Sequence, residues 1–415
     1  MARKMKDSGI EWIGEIPEGW GLTKVKRIFD IGRGRVISQQ ELTSVGYPVY
    51  SSQTKNNGCL GYISTYDFDK SQLTWTTDGV NAGTVFLREG KHNCTNVCGT
   101  LAPKNDTNDL RYLKYALEYI AFYHKRADIN GFKIMNNEMA EIELLLPPLF
   151  EQQNIANYLD FKYSQTQSIL EQSLFSIEEY KKLKQAVITQ AVTKGVRGER
   201  EMKDSGVEWI GEIPKEWVIQ KIKSISSRIN VGVVIRPSEY FDENGTVPFL
   251  RGINVKEYLI SSDNMVYINE SSNHILSKSQ VHTDDILIVR DGSIGTSCVV
   301  PAEYDGANVV SMVIVTPSTS CDSRFICYSL NSDVGKTQFT LTKIGSALTH
   351  TSVSAVSDII VAVPSCAEQK EIADYLDAKC AEIDGLIAKK EQLVKELESY
   401  KKSLIYEVVT GKREV

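Results

Sequence analysis

The sequence predicts an α+β fold in which two tandem α/β globules are joined by two long helices that pair as a coiled coil. Two observations lead to this prediction. An opening segment, Met5–Trp20, returns 197 residues later as Met202–Trp217 with three differences in sixteen positions. Two long helical patterns also occur, at residues 147–195 and 364–415. Repetition of this extent indicates one unit present twice, related by an internal pseudo-two-fold repeat.

The segments between the openings and the helices predict the two globules. Each contains a β-rich run with an Asp-Gly turn, at Asp78 in the first copy and at Asp291 in the second. Glycine supplies the positive φ that such a turn requires. The segments 96–97 and 308–309, both Asn-Val, are expected to begin matching strands. The middles of the two copies are otherwise unlike, which indicates duplication followed by divergence.

The helical patterns carry apolar residues at intervals of three and four. The first lacks internal proline and glycine, and about forty residues at 1.5 Å each predict a helix of roughly 60 Å. The second follows a seven-residue period, as in a coiled coil. The broader stripe of the first helix is expected to dock a second protein as well. The interface positions predicted on the two helices are Leu159, Ile169, Leu174, Ile177, Leu183 and Val187, then Leu376, Ile383, Leu386, Leu393, Leu397 and Leu404.

Four segments are therefore expected along the chain. Residues 1–146 form the first globule and residues 147–195 the central helix. Residues 196–363 form a polar linker and the second globule, and residues 364–415 the helix that pairs with the central one. A chain of 415 residues is long enough to need more than one hydrophobic core.

Charge and cysteine usage narrow the class of protein. The net charge of −6 argues against binding nucleic acid over the whole surface, so any such binding needs local basic patches or a partner protein. The eight cysteines are scattered, which is typical of reduced thiols. No apolar run reaches the ~18 residues that a membrane span needs. A cytoplasmic location is expected.

The repeated segments resemble the specificity subunit of type I restriction–modification systems. The resemblance rests on the openings that end in IPEGW and IPKEW, and on two helices that begin with Pro…EQ-x-x-IA-x-YLD, at Glu151–Asp160 and Glu368–Asp377. It covers Met5 to about Arg413. It implies that each globule is a target recognition domain that reads one half of a split, asymmetric DNA site. It also implies that the helices pack as an antiparallel coiled coil and hold the globules apart.

The resemblance implies partners and an absence of catalysis in this chain. The implied partners are double-stranded DNA, two adenine-methylating modification subunits and restriction (translocase) subunits, with no membrane. S-adenosylmethionine, ATP and Mg are then expected in the partner subunits and no cofactor in this chain. The residues agree, because the Pro-Pro pair at 147–148 opens a helix instead of a methyltransferase loop, and no Walker A lysine motif occurs.

Candidate DNA-binding residues are polar and basic side chains on loops that strands hold in place. In the first globule they are the loop after the predicted strand Tyr47–Tyr50, with three flanking cations: Ser51, Ser52, Gln53, Thr54, Lys55, Asn56, Asn57, Arg33, Arg35 and Lys133. In the second globule they are Arg251, Asn254, Lys256, Arg290, Lys343, Thr349 and His350. The alternative for each is an ordinary solvated surface residue.

Three other interpretations stay open at this point. His92, Cys94 and Cys98 lie close enough in sequence to suggest a metal site, although ordinary strand and loop positions explain them better. An enzyme with an unrecognised site in the Asp78 and Asp291 turns would act without partners. An interaction scaffold without a DNA role would leave DNA modification unchanged when the first globule is exchanged.

Overall fold

A computed structural model describes residues 3–11, 13–129, 131–343 and 350–415 of the chain. It contains two compact units, of which the first comprises Met1–Leu174 with Glu391–Val415 and the second comprises Phe175–Lys390. Each unit holds one globule and a part of each long helix, so the units do not follow the four predicted segments. The reason is that each globule closes its core on both helices.

The first unit is built mainly of short strands. In chain order they are β1 (Met5–Asp7), β2 (Glu15–Pro17), β3 (Gly21–Lys24), β4 (Phe29–Arg33), β5 (Tyr47–Tyr50), β6 (Cys59–Ile63), β7 (Gln72–Thr76), β8 (Asp78–Gly79), β9 (Val85–Arg88), β10 (Asn93–Cys94), β11 (Cys98–Pro103), β12 (Arg126–Asp128), β13 (Gly131–Lys133) and β14 (Glu143–Leu146). Its helices are α1 (Val25–Ile28), α2 (Leu110–His124), α3 (Asn136–Glu141) and the first part of α4 (Leu149–Lys194).

Two sheets organise the first globule. One is antiparallel with the order β4-β11-β7-β9, and the other has the order β10-β5-β6, in which β10 runs parallel to β5. Strand β5 spans Tyr47–Tyr50, as the sequence predicts. The segment 51–58, called the β5–β6 loop below, therefore leaves the second sheet directly at the end of a strand.

The core of the first unit is formed by the four-stranded sheet, α2 and both long helices. Leu73 of β7 and Tyr112 of α2 are fully buried in it, together with Leu159 of α4 and Val408 from the C-terminal segment. Helix α2 begins after Asp109, whose carboxylate accepts hydrogen bonds from the first backbone N–H groups of the helix.

The second unit repeats this plan. Its strands are β15 (Met202–Asp204), β16 (Glu212–Pro214), β17 (Val218–Lys221), β18 (Ser226–Val231), β19 (Val247–Leu250), β20 (Val255–Lys256), β21 (Leu259–Ile260), β22 (Val266–Ile268), β23 (Ile286–Val289), β24 (Ser297–Val299), β25 (Asn308–Val309), β26 (Met312–Pro317) and β27 (Ile360–Val363). Its helices are α5 (Glu270–Ile275), α6 (Ser323–Asn331), α7 (Asp333–Lys343), α8 (Val353–Ser357) and parts of α4 and α9 (Cys366–Val409). Among the described residues, no helix combines the length and apolarity that crossing a bilayer requires.

The two principal sheets of each globule share their topology. In the second, the orders are β18-β26-β23-β24 and β22-β19-β25, in which β25 runs parallel to β19 as β10 does to β5. Among the described residues, the sheet β12-β13-β8 occurs only in the first globule and the pair β20-β21 only in the second. Strand register gives the equivalent residues, since Tyr50 pairs with Cys94 and Leu250 pairs with Val309. The predicted match of 96–97 with 308–309 is therefore wrong. Three residues connect β10 to β11 in the first globule, and two connect β25 to β26 in the second, so the two segments cannot be aligned without a gap.

The repeated helix motif is a joint between each long helix and its globule. The side-chain oxygen of buried Gln152 accepts a hydrogen bond from the backbone N–H of Asp109 at 2.9 Å, and its amide donates to the carbonyl of Pro147 at 2.9 Å. Gln369 accepts a hydrogen bond from the N–H of Asp322 at 2.8 Å in the same way. The glutamine thus ties the start of a long helix to the start of α2 or α6.

The aspartate that ends the motif binds the same short helix from the side. Asp377 accepts hydrogen bonds from the hydroxyl of Tyr328 at 2.7 Å and from Arg324 at 2.6 Å. Asp160 accepts one from the hydroxyl of Tyr115 at 2.7 Å. These carboxylates hold helix against helix, which explains why an acidic residue recurs at this position.

The first glutamate of the motif binds the opening segment. Glu151 accepts a hydrogen bond from the indole N–H of Trp20 at 2.9 Å and forms an ion pair with Arg3. In the second copy buried Glu368 pairs instead with Arg200 at 2.7 Å, just before the opening, and the Arg200 guanidinium lies 5.4 Å from the ring centroid of Trp217. The openings and the helix motifs therefore recur together because they are in contact within each unit.

The helix segments run antiparallel within each unit, as predicted. In the first unit the ammonium of Lys401 lies 3.6 Å from the ring centroid of Tyr163, while Arg413 lies over Tyr158. Residue numbers therefore increase along one segment in the direction in which they decrease along the other. In the second unit the corresponding ion pairs are Lys184 with Asp384 and Arg197 with Glu371.

The predicted interface positions differ in burial. Some lie in the globule cores, so the apolar stripes join the helices to the globules as well as to each other. Buried positions are Leu159, Ile177, Leu376, Ile383 and Leu404, and partly buried ones are Val187, Leu393 and Leu397. Ile169, Leu174, Leu183 and Leu386 remain between 37% and 49% exposed, which leaves much of their apolar surface uncovered.

Gly385 weakens α9 at an exposed position. A Cβ added there would meet no atom within 4 Å, and glycine inside a helix costs about 0.5–1 kcal/mol relative to alanine. Gly385→Ala should therefore stabilise α9 by about 0.5–1 kcal/mol, measured as slower hydrogen exchange of its amides. Gly195→Ala is the control, because its positive φ and a Cβ 1.9 Å from the Arg200 guanidinium should lower stability. Faster exchange in Gly385→Ala would contradict the prediction.

Candidate nucleic-acid interface

The β5–β6 loop has a defined shape. The N–H of Ser51 donates to the carbonyl of Gly58 at 2.9 Å and closes the loop at its base. Asn56 and Asn57 have φ values of 50° and 52°, a left-handed conformation that asparagine adopts more readily than most residues. The segment 54–57 that contains them is exposed to solvent. The loop therefore presents a hydroxyl, an ammonium and two amides to solvent.

The inner part of the loop is held by its own side chains. Ser51, Ser52 and Gln53 are half-buried, and the Gln53 amide donates to the carbonyl of Cys59. The sequence-predicted candidates of this loop thus divide into two groups. Those at the base shape the loop, and those from Thr54 onward can reach a ligand.

Two of the predicted flanking cations converge on one carboxylate. Lys133 lies 3.0 Å from Asp78, and the guanidinium of Arg33 lies 3.6 Å from it. Burial alone would raise the pKa of the Asp78 carboxyl. The hydrogen bond from Thr77 and the ammonium of Lys133 nevertheless bring that pKa below its usual value. A second carboxylate, Asp128, lies 3.0 Å from Lys133, so these cations are largely neutralised within the protein.

Arg35 is paired as well. Its guanidinium lies 3.0 Å from the carboxylate of Asp67 and 3.6 Å from that of Glu41. Binding a phosphate through Arg35 would require exchanging these contacts. The predicted basic surface of the first globule is therefore a set of ion pairs rather than a patch of free positive charge.

In the second globule, Asn254 has a different role from the predicted one. It is fully buried, and its amide donates to the carbonyls of Ser261 and Asp263 at 3.1 and 2.9 Å. Its oxygen accepts a hydrogen bond from the backbone N–H of Arg251 at 3.1 Å. A buried side chain with these partners cannot reach a base edge. Asn254 holds the segment after β19 in place, while Lys256 beside it is exposed.

Two of the remaining candidates, Arg290 and His350, lie near the second Asp-Gly turn. Arg290 donates to the carbonyl of Thr351 at 2.9 Å, which places the partly exposed His350 beside this turn. Thr349 and the side chain of Lys343 lie outside the described residues. The structure thus brings Arg290 and His350 to one edge of the second globule.

The suggested metal ligands serve as packing groups. The Nδ1–H of His92 donates to the carbonyl of Gly90 at 2.7 Å, which leaves Nε2 to accept from the Gln72 amide at 2.9 Å. Burial lowers the pKa of His92 and raises the pKa of the Cys98 thiol to about 11. In the part of the chain that the structure describes, no group of three or more His, Cys, Asp or Glu side chains could hold a metal ion.

One residue near the loop was missed by the sequence argument. Arg88, at the end of β9, is 1% exposed and donates from Nη1 to the carbonyl of Asn57 at 2.7 Å. An arginine after a hairpin strand reads as a surface residue, and no sequence signal marked it as buried. Only the pairing of Arg88 with Gln72 across β9 and β7 directs its side chain inward.

Comparisons with known proteins agree with this architecture. Residues 17–179 and 214–396 match the family model described as type I restriction modification DNA specificity domain. The chain is 29% identical over 362 residues to the putative type I specificity subunit S.MpnORF507P of Mycoplasma pneumoniae, which covers 85% of this chain and 87% of that protein. It is 34% identical over 212 residues to the type I restriction enzyme MpnII specificity subunit of the same organism, covering 50% and 56%.

Solved structures share the fold at low sequence identity. A chain from a study of the complex assembly and conformational transition of the type I R-M system gives a TM-score of 0.72 at 12% identity, covering 96% of this chain and 99% of that one. The HsdS subunit from Thermoanaerobacter tengcongensis gives 0.51 at 14% identity, covering 98% and 100%. Because the family model matches both globules, this chain belongs to the type I restriction modification DNA specificity domain family, as a specificity subunit that recognises a DNA sequence.

Proposed function

We propose that each globule reads one half of a bipartite, asymmetric DNA site, while the helix pair sets the spacer between the halves and docks two modification subunits. The observation that carries this proposal is the same sheet topology present twice with different loops at the equivalent place. After β5 the loop reads SSQTKNNG, and after β19 the chain reads RGINVKEY. Equal scaffolds with unlike polar loops suit two unlike half-sites.

The chain's own contribution in this proposal is recognition, in the cytoplasm. Methylation and cleavage, with S-adenosylmethionine, ATP and Mg²⁺, belong to the modification and restriction subunits. The ion pairs around Arg33, Arg35 and Lys133 support this division, because cations that are already paired give little phosphate affinity. Tight binding should therefore need the modification subunits. The Asp78 carboxylate is likewise engaged by neighbouring cations, which favours recognition over catalysis at that turn.

The test is to map methylated adenines in a host that carries this chain with its modification subunits. The expected pattern is two constant halves separated by a spacer of fixed length. Inserting four helical residues into both long helices, after Leu174 and after Lys390, adds about 6 Å. The spacer should then grow by about two base pairs, because base pairs are ~3.4 Å apart along the duplex. The control is the same four-residue insertion in the linker at 196–201, which should leave the spacer length unchanged.

Two outcomes would contradict this proposal. One is a change of bases within either half-site while the spacer length is unchanged. The other is methylation or cleavage by the purified chain without partner subunits, which would support an enzyme instead.

The ion pairs of the first globule make a separate prediction about salt dependence. Asp78→Asn should release Arg33 toward DNA phosphates and raise affinity for DNA of any sequence, while Lys133 keeps its ion pair with Asp128. Each additional phosphate contact steepens the slope of log K against log salt by about 0.9, so a slope steeper by about one is expected in titrations of the complex. Asp128→Asn is the matched control, since Lys133 keeps Asp78 there and the slope should change less. A slope unchanged in Asp78→Asn would contradict the prediction.

A further inference from the structure

The layer between the two sheets differs in chemistry between the globules. Strand register identifies the equivalent positions of this layer, of which two, Phe86 with Cys298 and Gln72 with Asp285, do not show this difference. At the seven others the first globule carries polar, sulfur-containing or charged side chains and the second carries apolar residues of one compact cluster. The pairs are Tyr50 and Leu250, Thr74 and Leu287, Thr76 and Val289, Arg88 and Val300, Cys94 and Val309, Cys98 and Met312, and Thr100 and Ile314.

Arg88 lies at the centre of this polar layer, directly under the β5–β6 loop. Its guanidinium carbon lies 3.6 Å from the ring centroid of Tyr50, and its Nε donates to the hydroxyl of Thr74 at 3.1 Å. Its Nη1 donates to the carbonyl of Asn57, and a Cβ added to Gly58 would lie 2.8 Å from its Nη2. The guanidinium therefore packs against the inner surface of the loop.

A buried cation is costly without a counter-ion. Burial lowers the pKa of the Arg88 guanidinium. The side chains that oppose this shift are Tyr50, Cys94 and Cys98, and none of them is a carboxylate. The equivalent Val300 shows that the fold does not require a cation at this position. A role in the function of the β5–β6 loop would explain a buried arginine at this position.

We infer that Arg88 positions the DNA-reading loop of the first globule and supplies positive charge beneath it, for which the phosphates of bound DNA are the counter-ion. This inference rests on the proposed function of the loop. The guanidinium holds the Asn57 carbonyl, which sets the left-handed Asn56–Asn57 turn and hence the direction of the exposed side chains. In the second globule the neutral, buried Asn254 holds the corresponding segment. The two globules thus support their loops by different chemistry.

The experiment uses the full chain in complex with its modification subunits. Binding is measured to duplexes that carry single-base changes in either half-site. In the wild type, one wrong base pair costs about 10–100-fold in affinity. Arg88→Met removes the charge and the forked donors at similar volume, and should reduce this discrimination to about threefold or less in the first half only. Discrimination between bases in the second half-site should stay as in the wild type, which shows that the variant is folded.

Two further variants separate the role of Arg88 in positioning the loop from the role of its positive charge. Arg88→Lys keeps the charge but not the fork, so overall affinity should stay within about threefold while first-half discrimination falls. Thr76→Val is the control, because it replaces a buried hydroxyl of the same layer that makes no hydrogen bond within the described residues. It should leave discrimination in both halves close to the wild type.

Full first-half discrimination in Arg88→Met would overturn the inference. If that variant also loses the second half, Arg88→Lys decides: unchanged discrimination in both halves overturns the inference, and selective loss in the first half supports it. The proposed function fails separately, if the wild-type complex discriminates in neither half.

Discussion

Gln369→Ala should lower the free energy of unfolding of the second unit by about 3 kcal/mol. The side chain is 1% exposed, and it accepts a hydrogen bond from the N–H of Asp322 and donates one to the carbonyl of Pro364. Alanine would leave both backbone groups buried without these partners, and each such group costs about 1–3 kcal/mol. Hydrogen exchange of the amides in α6 should then become about a hundredfold faster, since 1.36 kcal/mol is a factor of ten.

Gln190→Ala is the matched control, because Gln190 is exposed on α4. That change should stay within about 0.5 kcal/mol of the wild type. Equal exchange rates in the two variants would show that the joint between α9 and α6 does not stabilise the unit. Gln152→Ala should produce the same effect in α2 of the first unit, since Gln152 makes the same pair of contacts there.

Gly232→Ala should abolish recognition of the second half-site while leaving the first intact. A Cβ on Gly232 would lie 2.4 Å from the carbonyl oxygen of Val309, which is backbone and cannot move cheaply. The segment after β18 runs parallel to the end of β25 at this point, and the N–H of Val233 donates to that same carbonyl at 2.8 Å. Overpacking of this kind costs about 1–3 kcal/mol and displaces the chain. Single-base discrimination in the second half should fall by about tenfold or more.

The first globule supplies the reciprocal variant. Gly34 is the equivalent residue, and a Cβ there would lie 2.2 Å from the carbonyl oxygen of Cys94. Gly34→Ala should therefore affect only the first half-site. Gly21→Ala is the control, because its Cβ would make ordinary contact with the carbonyl oxygen of Leu146 at 3.7 Å. If Gly34→Ala and Gly232→Ala weakened the same half, the assignment of one half-site to each globule would be wrong.

Much of the architecture was predictable because the repeated residues are the ones that touch each other. Glu151, Gln152 and Asp160 bind the opening segment and α2, so their recurrence near residue 368 required a second globule with the same joint. The apolar periodicity predicted two long helices that pair, and the family resemblance implied that they run antiparallel. The domain boundaries were less accessible, since a helix that continues without interruption gives no sign of where it passes from one unit to the next.

The candidate site was predictable only in its position. Strand β5 and the polar loop after it were evident from the sequence, because alternating strand residues and a run of Ser, Thr, Asn and Lys are local features. The state of each side chain was not evident. Asn254 reads like a base-contacting residue but is buried, and Arg88 reads like a surface residue but lies under the loop.

The sequence by itself determined that this chain is a duplicated type I specificity subunit, because the repeat and the helix motif are local patterns of residue type and spacing. The tertiary structure decided which charges are available for DNA. Arg33, Arg35 and Lys133 meet carboxylates that are distant in sequence, and Arg88 is turned inward by the pairing of β9 with β7. Such pairings depend on distances between strands and loops, which only the folded chain establishes.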